Sequence, residues 1–276
     1  MRNPTASKKL EDLRKILNEK ENLVVAFSGG VDSGFLLKVA HEVLGEKVLS
    51  VTVDSELFPR RDLEHVKSFL DRTGIKHKIV PFSWQSAEDF VRNPFDRCYV
   101  CKKVFARILK EVATEEGIST IAEGVTVSDF DEHRPGIVAS KEEVVWHPLV
   151  EVGITKTEVK EIAKETGLPF WNKPPNACLA TRIEYGERIT VEKLEMIDKA
   201  EEFLKDMGFR QIRVRLHRTG IARIEVKKEE MAVLFDTKML ESISENLKMF
   251  GFNYVTLDLE GYRSGSMDGT CVISGG

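Results

Sequence analysis

The sequence lacks any run of about 18 consecutive apolar residues, the length that a helix needs to cross a bilayer, so we expect no membrane partner. It also lacks an excess of basic charge, since 41 Lys and Arg face 45 Asp and Glu, for a net charge of −4. Proteins that hold nucleic acid through its phosphates present basic surfaces, and we therefore expect no nucleic-acid partner. Residues 7–20 are charged and amphipathic and lack the apolar segment of a secretory signal, which favours a cytoplasmic location.

Cysteine is scarce, with only Cys98, Cys101, Cys178 and Cys271 in 276 residues. Four cysteines do not make a disulfide scaffold, and a chain of this length buries a core without one. In a reducing compartment such residues are better interpreted as metal-binding or catalytic groups. Cys98 and Cys101 are three residues apart, so a turn or a helix start would aim both sulfurs at one point. Cys271 lies in a Gly/Ser-rich tail, and we interpret it as incidental.

The length and the hydrophobic pattern predict two domains. Over residues 23–180, short apolar runs alternate with helical patterns, which indicates an α/β fold with a parallel sheet covered on both faces. After a proline-rich stretch at 169–178, the pattern changes to that of a small α+β unit. We predict a first, Rossmann-like domain over residues 1–185 and a smaller α+β domain over residues 186–276.

The most informative stretch is Ser28-Gly29-Gly30-Val31-Asp32-Ser33, which follows an apolar run and precedes a helical pattern. Glycines let the backbone approach an anion, hydroxyls add donors, and a helix start offers unpaired N–H groups, so this context favours a phosphate site. The stretch has neither the Gly-Lys-Ser/Thr ending of the common nucleotide loop nor a Gly-x-Gly-x-x-Gly pattern. The alternative is a structural turn between strand and helix.

Several motifs together resemble the LarE family of PP-loop ATP pyrophosphatases. They run in order along nearly the whole chain: residues 28–33, Arg97-Cys98-Tyr99-Val100-Cys101-Lys102, Arg134-Pro135-Gly136, Ala177-Cys178-Leu179-Ala180-Thr181-Arg182, residues 208–215 and residues 261–267. The resemblance implies a PP-loop fold of the adenine nucleotide alpha hydrolase type and an ATP-dependent sulfurtransferase. Its expected substrate is pyridinium-3,5-biscarboxylic acid mononucleotide, a carboxylate of which is adenylylated and converted to a thiocarboxylate in nickel-pincer cofactor synthesis.

The resemblance also implies roles for individual residues. Cys178 stands at the position of the sulfur-donating cysteine. ATP, with Mg²⁺, is expected at a set of loop residues that comprises Ser28, Gly29, Gly30, Val31, Asp32, Ser33 and Gly124.

The three cysteines Cys98, Cys101 and Cys178 suggest the family's other mode, in which three thiolates hold a [4Fe–4S] cluster and sulfide or another sulfur source supplies the sulfur. Two alternatives stay open. One is zinc, with Cys271, His133 or His147 as a fourth ligand. The other is no metal, with Cys178 as a sacrificial sulfur donor.

Charged residues complete the expected site. Arg213 and Arg215 lie on the polar face of a predicted strand and, by the resemblance, bind the substrate phosphate; the alternative is a solvated strand face. Arg182 follows Cys178 closely enough to meet an anion near its sulfur. Glu201 is a possible metal or substrate contact, and Asp129 either binds Mg²⁺ or caps a turn. The resemblance further implies a homo-oligomer, and a PP-loop enzyme of tRNA thiolation is the competing interpretation.

Overall fold

A computed structural model describes residues 4–130, 135–174 and 177–268. Contacts between residues divide the chain into two compact units. The first consists of Met1–Asp54, Asp62–Phe82 and Asp96–Pro175; the second consists of Ser55–Arg61, Ser83–Phe95 and Asn176–Gly276. The domain boundary after residue 185 stays a prediction. None of the helices in the described part of the chain is long and apolar enough to span a membrane.

The regular elements follow one another as in the α/β pattern and then as a smaller mixed unit. Up to residue 123 they are α1 (Pro4–Asn18), β1 (Leu23–Ala26), α2 (Val31–Leu44), β2 (Val48–Asp54), α3 (Arg60–Thr73), β3 (His77–Pro81), α4 (Glu88–Val91), α5 (Arg97–Glu115) and β4 (Ile121–Glu123). They continue with α6 (Pro135–Glu142), α7 (Pro148–Glu151), α8 (Lys156–Glu165), α9 (Val191–Asp206), β5 (Ile212–His217), β6 (Ile221–Val226), α10 (Thr237–Met249) and β7 (Tyr254–Leu257).

In the first unit, the described strands form one parallel sheet of order β3-β2-β1-β4. The central strand β1 pairs with β2 on one side and with β4 on the other. Ligands on such sheets bind at the carboxyl ends of the strands, where the strand order reverses. The sheet therefore opens its binding crevice between the loop after β1 and the loop after β4.

Both faces of the central strand β1 are buried, as a parallel sheet requires. On β1, Leu23 and Val25 belong to a core shared with α1, α2 and α8, whereas Val24 packs with Leu109 and Val112 of α5. Local signals agree with the element ends: Thr155 caps α8 through a capping box with Glu158, as its sequence position predicts. The α/β class is confirmed.

The second unit has a three-stranded sheet of order β5-β6-β7 among its described residues, with β5 and β6 antiparallel and β6 and β7 parallel. Its interior combines apolar side chains with buried charged residues, and α9 packs on β5 and α10 on β7.

Residues from early in the chain complete this unit. The Asn93 side chain donates to the Glu184 carbonyl at 2.9 Å, the Ile189 N–H donates to the Val91 carbonyl at 2.9 Å, and the Leu179 N–H donates to the Leu57 carbonyl at 2.8 Å. The smaller unit is therefore assembled from three separate stretches of sequence.

Candidate functional site

The loop after β1 has the geometry of an anion cradle. Gly29 adopts a φ of +74°, a conformation that favours glycine, and α2 begins directly after Gly30. The Ser28 and Ser33 hydroxyls lie 3.0 Å apart, and the Ser28 N–H donates to Ser33 Oγ at 3.3 Å. Two hydroxyls and the first N–H groups of a 14-residue helix thus gather at one turn, as the sequence predicts.

Gly124 allows the end of β4 to lie close to this loop because it has no side chain. A Cβ at position 124 would lie 2.6 Å from the Ser33 backbone nitrogen and 2.7 Å from the Asp32 carbonyl carbon. The end of β4 and the start of α2 therefore meet backbone to backbone. This contact places Gly124 beside the predicted ATP residues.

Two side chains that the sequence does not single out also reach the loop. A Cβ on Gly34 would lie 2.5 Å from the Phe170 ring, so the missing side chain makes room for that ring. Lys173 Nζ donates to the Gly29 carbonyl at 3.1 Å and pairs with Asp62 Oδ1 at 2.9 Å. Sequence reasoning misses these contacts because 144 residues separate Lys173 from Gly29.

Cys98 and Cys101 lie in the first turns of α5, three positions apart and therefore on one side of the helix. Neighbouring residues hold this turn: the Tyr99 hydroxyl donates to Glu142 at 2.6 Å, and Lys102 pairs with Glu123. Cys98 is exposed, Cys101 is half-buried, and neither forms a disulfide. Two thiols on one anchored turn fit the thiolate ligands that an iron–sulfur cluster needs.

Glu123, the last residue of β4, is the centre of a buried polar network. It accepts from Lys102 of α5 and Ser140 of α6, and His147 Nε2 lies 2.9 Å from its Oε1 atom. Burial by itself raises the pKa of Glu123, but the Lys102 charge and these hydrogen bonds lower it to about 2. The network ties the turn that carries the two cysteines to the sheet edge that carries Gly124. His147 joins this network through its Nε2 atom.

In the second unit, Cys178 is half-buried and immediately precedes a 3₁₀ turn, Leu179–Arg182. The Arg182 guanidinium donates to the carbonyls of Ala177 at 2.8 Å and Cys178 at 3.2 Å. Its other edge pairs with Glu201 at 2.8 Å, and neither side chain is exposed at all. Arg182 and Glu201 therefore bind each other and shape the backbone around Cys178.

Arg213 and Arg215 are buried on β5, so the alternative of a solvated strand face is wrong. Arg215 pairs with Glu225 at 2.8 Å, while its buried Nε has no hydrogen-bond partner among the described residues. Burial and the neighbouring Arg182 charge lower the pKa of Arg213 to about 10, and its guanidinium lies over the Tyr262 ring. Arg215 Nε is thus a buried donor without an acceptor among the described residues, and a nearby anion would offset the repulsion between Arg182 and Arg213.

Other predicted positions have internal partners or lie outside the described residues. Asp129 accepts from the Thr126 N–H and hydroxyl at 2.8 Å and pairs with Lys156, so it caps a turn, the second of its two expected roles. His133 and Cys271 lie outside the described residues. Within either unit, the described His, Cys, Asp and Glu side chains form no group of three that could hold a metal ion.

Comparisons with known proteins match most of the chain. Residues 7–93 match the family model for NAD synthase. The chain is 39% identical over 260 residues to an uncharacterised protein of Synechocystis sp., covering 94% of this chain and 97% of the relative. It is 33% identical over 269 residues to the pyridinium-3,5-bisthiocarboxylic acid mononucleotide synthase of Lactiplantibacillus plantarum, covering 96% of each. It is also 30% identical over 197 residues to one of the subunits of the glutamine-hydrolyzing GMP synthase of Archaeoglobus fulgidus, covering 66% of this chain and 64% of that protein.

Proposed function

Because the chain belongs to the LarE family, we propose that it adenylylates a carboxylate of pyridinium-3,5-biscarboxylic acid mononucleotide and converts that group to a thiocarboxylate. The chain is an ATP-dependent sulfurtransferase of the PP-loop type. In the proposed first step, a carboxylate oxygen attacks the α-phosphorus of ATP, and pyrophosphate leaves. In the second, a sulfur nucleophile attacks the acyl carbon, and AMP leaves. The product would serve nickel-pincer cofactor synthesis.

The observation that carries the ATP step is the loop Ser28–Ser33 pressed against Gly124. Its helix-start N–H groups and hydroxyls suit the phosphates of ATP, and Asp32 in the first turn of α2 suits a phosphate-bound Mg²⁺. In this proposal, residues 28–33 and Gly124 bind ATP and orient its α-phosphorus.

The proposed sulfur donor is Cys178, whose backbone Arg182 positions. Cys98, Cys101 and Cys178 would hold a [4Fe–4S] cluster, which when bound supplies a sulfide that an external sulfur source can replace. The anchored pair of thiols on α5 supports this ligand set. Without a cluster, Cys178 would give up its own sulfur once.

The proposed substrate-phosphate residues are Arg213 and Arg215. Two observations support this role: the buried Arg215 Nε has no hydrogen-bond acceptor among the described residues, and the pKa of Arg213 is lowered. A bound phosphate would accept a hydrogen bond from Arg215 and add negative charge beside Arg213. Arg182 contributes positive charge to the same cluster, although its direct partners are Glu201 and the carbonyls near Cys178. The homo-oligomer stays a prediction.

The two steps can be tested separately. Pyrophosphate release with ATP, Mg²⁺ and the mononucleotide should stop in Asp32→Ala and continue in Asp12→Ala, which changes an exposed aspartate of α1. Full pyrophosphate release by Asp32→Ala would refute the ATP assignment. Cys178→Ala should release pyrophosphate but form no thiocarboxylate, and thiocarboxylate formation by that variant would refute the role of Cys178.

Metal analysis after anaerobic purification tests the cluster. We expect about four irons and at least about four labile sulfides per chain, lost in Cys98→Ala. Absence of iron and sulfide after anaerobic reconstitution would leave the sacrificial route, and mass spectrometry would then reveal dehydroalanine at position 178.

A further inference from the structure

We propose that Lys173 is a phosphate-binding residue that supplies, from a distant segment, the cation which the loop 28–33 does not contain. The inference rests on the proposed binding of ATP at this loop. The common nucleotide loop carries its lysine within the motif, where it reaches the phosphates. Residues 28–33 contain no lysine or arginine. The structure nevertheless brings an ammonium group to this loop.

Lys173 holds its ammonium group next to the backbone of the loop 28–33. Its Nζ atom donates to the Gly29 carbonyl at 3.1 Å and lies 2.9 Å from Asp62 Oδ1. An ammonium group has three donors. In the described part of the chain, Gly29 and Asp62 are its two hydrogen-bonding partners, so a third donor is available to an acceptor bound beside Gly29.

The segment that carries Lys173 is anchored to the same helix start. The Phe170 ring fills the space left by Gly34 and packs edge-on against Phe69, with ring centroids 5.0 Å apart. The Lys173 N–H donates to the Phe170 carbonyl at 2.9 Å, which closes a turn. An apolar anchor therefore sets where this ammonium group lies, and its position does not depend on the bond to Gly29 alone.

The electrostatics favour a phosphate over the present acceptor. Lys173 and Asp62 are each only 18% exposed, so the carboxylate keeps the partly buried cation paired before a nucleotide binds. Gly29 offers a neutral carbonyl oxygen, whereas a phosphate offers a charged one. The bond to Gly29 already has a charged donor, and a charged acceptor would add the Coulomb attraction between opposite charges. A phosphate oxygen that accepts from the third donor would therefore attract the ammonium group more strongly than the Gly29 carbonyl does.

The chain offers a matched control in Lys9. Its Nζ atom also donates to a glycine carbonyl, that of Gly153 at 2.7 Å, and pairs with a carboxylate, that of Glu158 at 2.7 Å. The two side chains of that pair are 25% and 13% exposed. Removal of the Lys9 ammonium thus measures the structural value of this contact type without altering the loop 28–33.

Calorimetric titration of the full chain tests the inference, with ATP–Mg²⁺ and inorganic pyrophosphate as separate ligands. In Lys173→Met, which keeps the apolar stem, we expect both affinities to fall at least about tenfold, as for loss of a hydrogen bond to a charged group. Lys9→Met should bind both ligands as the wild type does. Lys173→Arg should retain part of the affinity, because it retains the charge. The affinity of Lys173→Met should also respond less to salt.

Each outcome of these titrations either supports or overturns the inference. Wild-type affinities in Lys173→Met, with a loss of stability equal to that of Lys9→Met, would make Lys173 a structural contact and overturn the inference while leaving the proposed function intact. Failure of the wild type to bind either ligand would overturn both. If Lys173→Met does not fold, Lys173→Gln replaces it, because glutamine keeps donors for Gly29 and Asp62 without the charge. A fall of about tenfold in both affinities of Lys173→Gln would support the inference, and unchanged affinities would overturn it.

Discussion

Arg182 and Glu201 form an ion pair in which neither side chain is exposed, with Nε–Oε1 and Nη2–Oε2 distances of 2.8 and 3.2 Å. Burial by itself raises the pKa of Glu201, but the Arg182 charge holds it below its ordinary value, so the carboxylate is ionised. Glu201 also accepts from the Val214 N–H at 3.1 Å. The pair therefore links α9 and β5 to the backbone around Cys178.

The first prediction concerns this pair. Glu201→Gln should lower the free energy of unfolding by about 3–5 kcal/mol, because it leaves a buried guanidinium without its counter-charge. The double variant Arg182→Met/Glu201→Leu should be far closer to wild type, since neither charge remains. Urea denaturation of Arg182→Met, Glu201→Leu and the double variant measures the coupling between the two charges, and strictly additive losses would contradict it.

The second prediction concerns Gly124→Ala. The new Cβ would fall within 2.7 Å of the backbone of Asp32 and Ser33, which cannot move aside as a flexible side chain could. We expect a loss of stability of about 1–3 kcal/mol and a larger relative loss of ATP-dependent pyrophosphate release. Gly136→Ala is the control, because the nearest atom to its Cβ, the Cys98 carbonyl oxygen, would lie 3.6 Å away. Equal activities in the two variants would count against a tight contact at Gly124.

The third prediction couples Gly34 to Phe170. Gly34→Ala should destabilise the protein, because its Cβ would lie 2.5 Å from the Phe170 ring. In a Phe170→Leu background, the same substitution should cost less, since the ring edge is gone. A double-mutant cycle on the free energy of unfolding should show a coupling of about 1–3 kcal/mol, and a coupling near zero would place the Phe170 ring elsewhere.

The fourth prediction concerns acid stability. Glu123 has a pKa of about 2 in the folded chain against an ordinary value of 4.5, so its contribution to stability is complete above the ordinary value and is lost as the pH falls toward 2. That difference corresponds to about 3 kcal/mol. Denaturation between about pH 7 and pH 2 should show a smaller acid loss in Glu123→Gln than in the wild type. Identical pH profiles of stability in the two proteins would show that Glu123 does not contribute to the acid loss.

Sequence patterns predict those features that depend on neighbouring residues. Thr155 and Glu158 mark a helix start, and Ser28–Ser33 marks a strand–loop–helix junction, because three to six adjacent residues determine each of them. The start of α5 is less well predicted. The spacing of Cys98 and Cys101 predicts either a turn or a helix start, and in the structure α5 begins at Arg97, with the Tyr99 N–H donating to the Asp96 carbonyl at 2.8 Å. Both cysteines are therefore helical.

Contacts between distant residues are what the sequence pattern does not contain. The alternation in β5 separates Arg213 and Arg215 from the apolar face but does not indicate that Glu225 of the paired strand covers Arg215. Likewise, the glycine at position 34 gives no sign that Phe170 needs its space. Similarly, neither the residues around Lys173 nor its distance along the sequence indicates that it contacts the loop 28–33.

The smaller unit contains two early stretches, 55–61 and 83–95, in addition to the C-terminal part of the chain. A fragment that ends near residue 175 would thus lose the C-terminal residues that bond to Leu57, Val91 and Asn93, which are Leu179, Ile189 and Glu184. The smaller unit is consequently not one continuous segment, so a single gene fusion could not add or exchange it. Insertions and deletions in these two early stretches would alter it as directly as changes in its own C-terminal sequence, so the two parts of the chain are bound to evolve together.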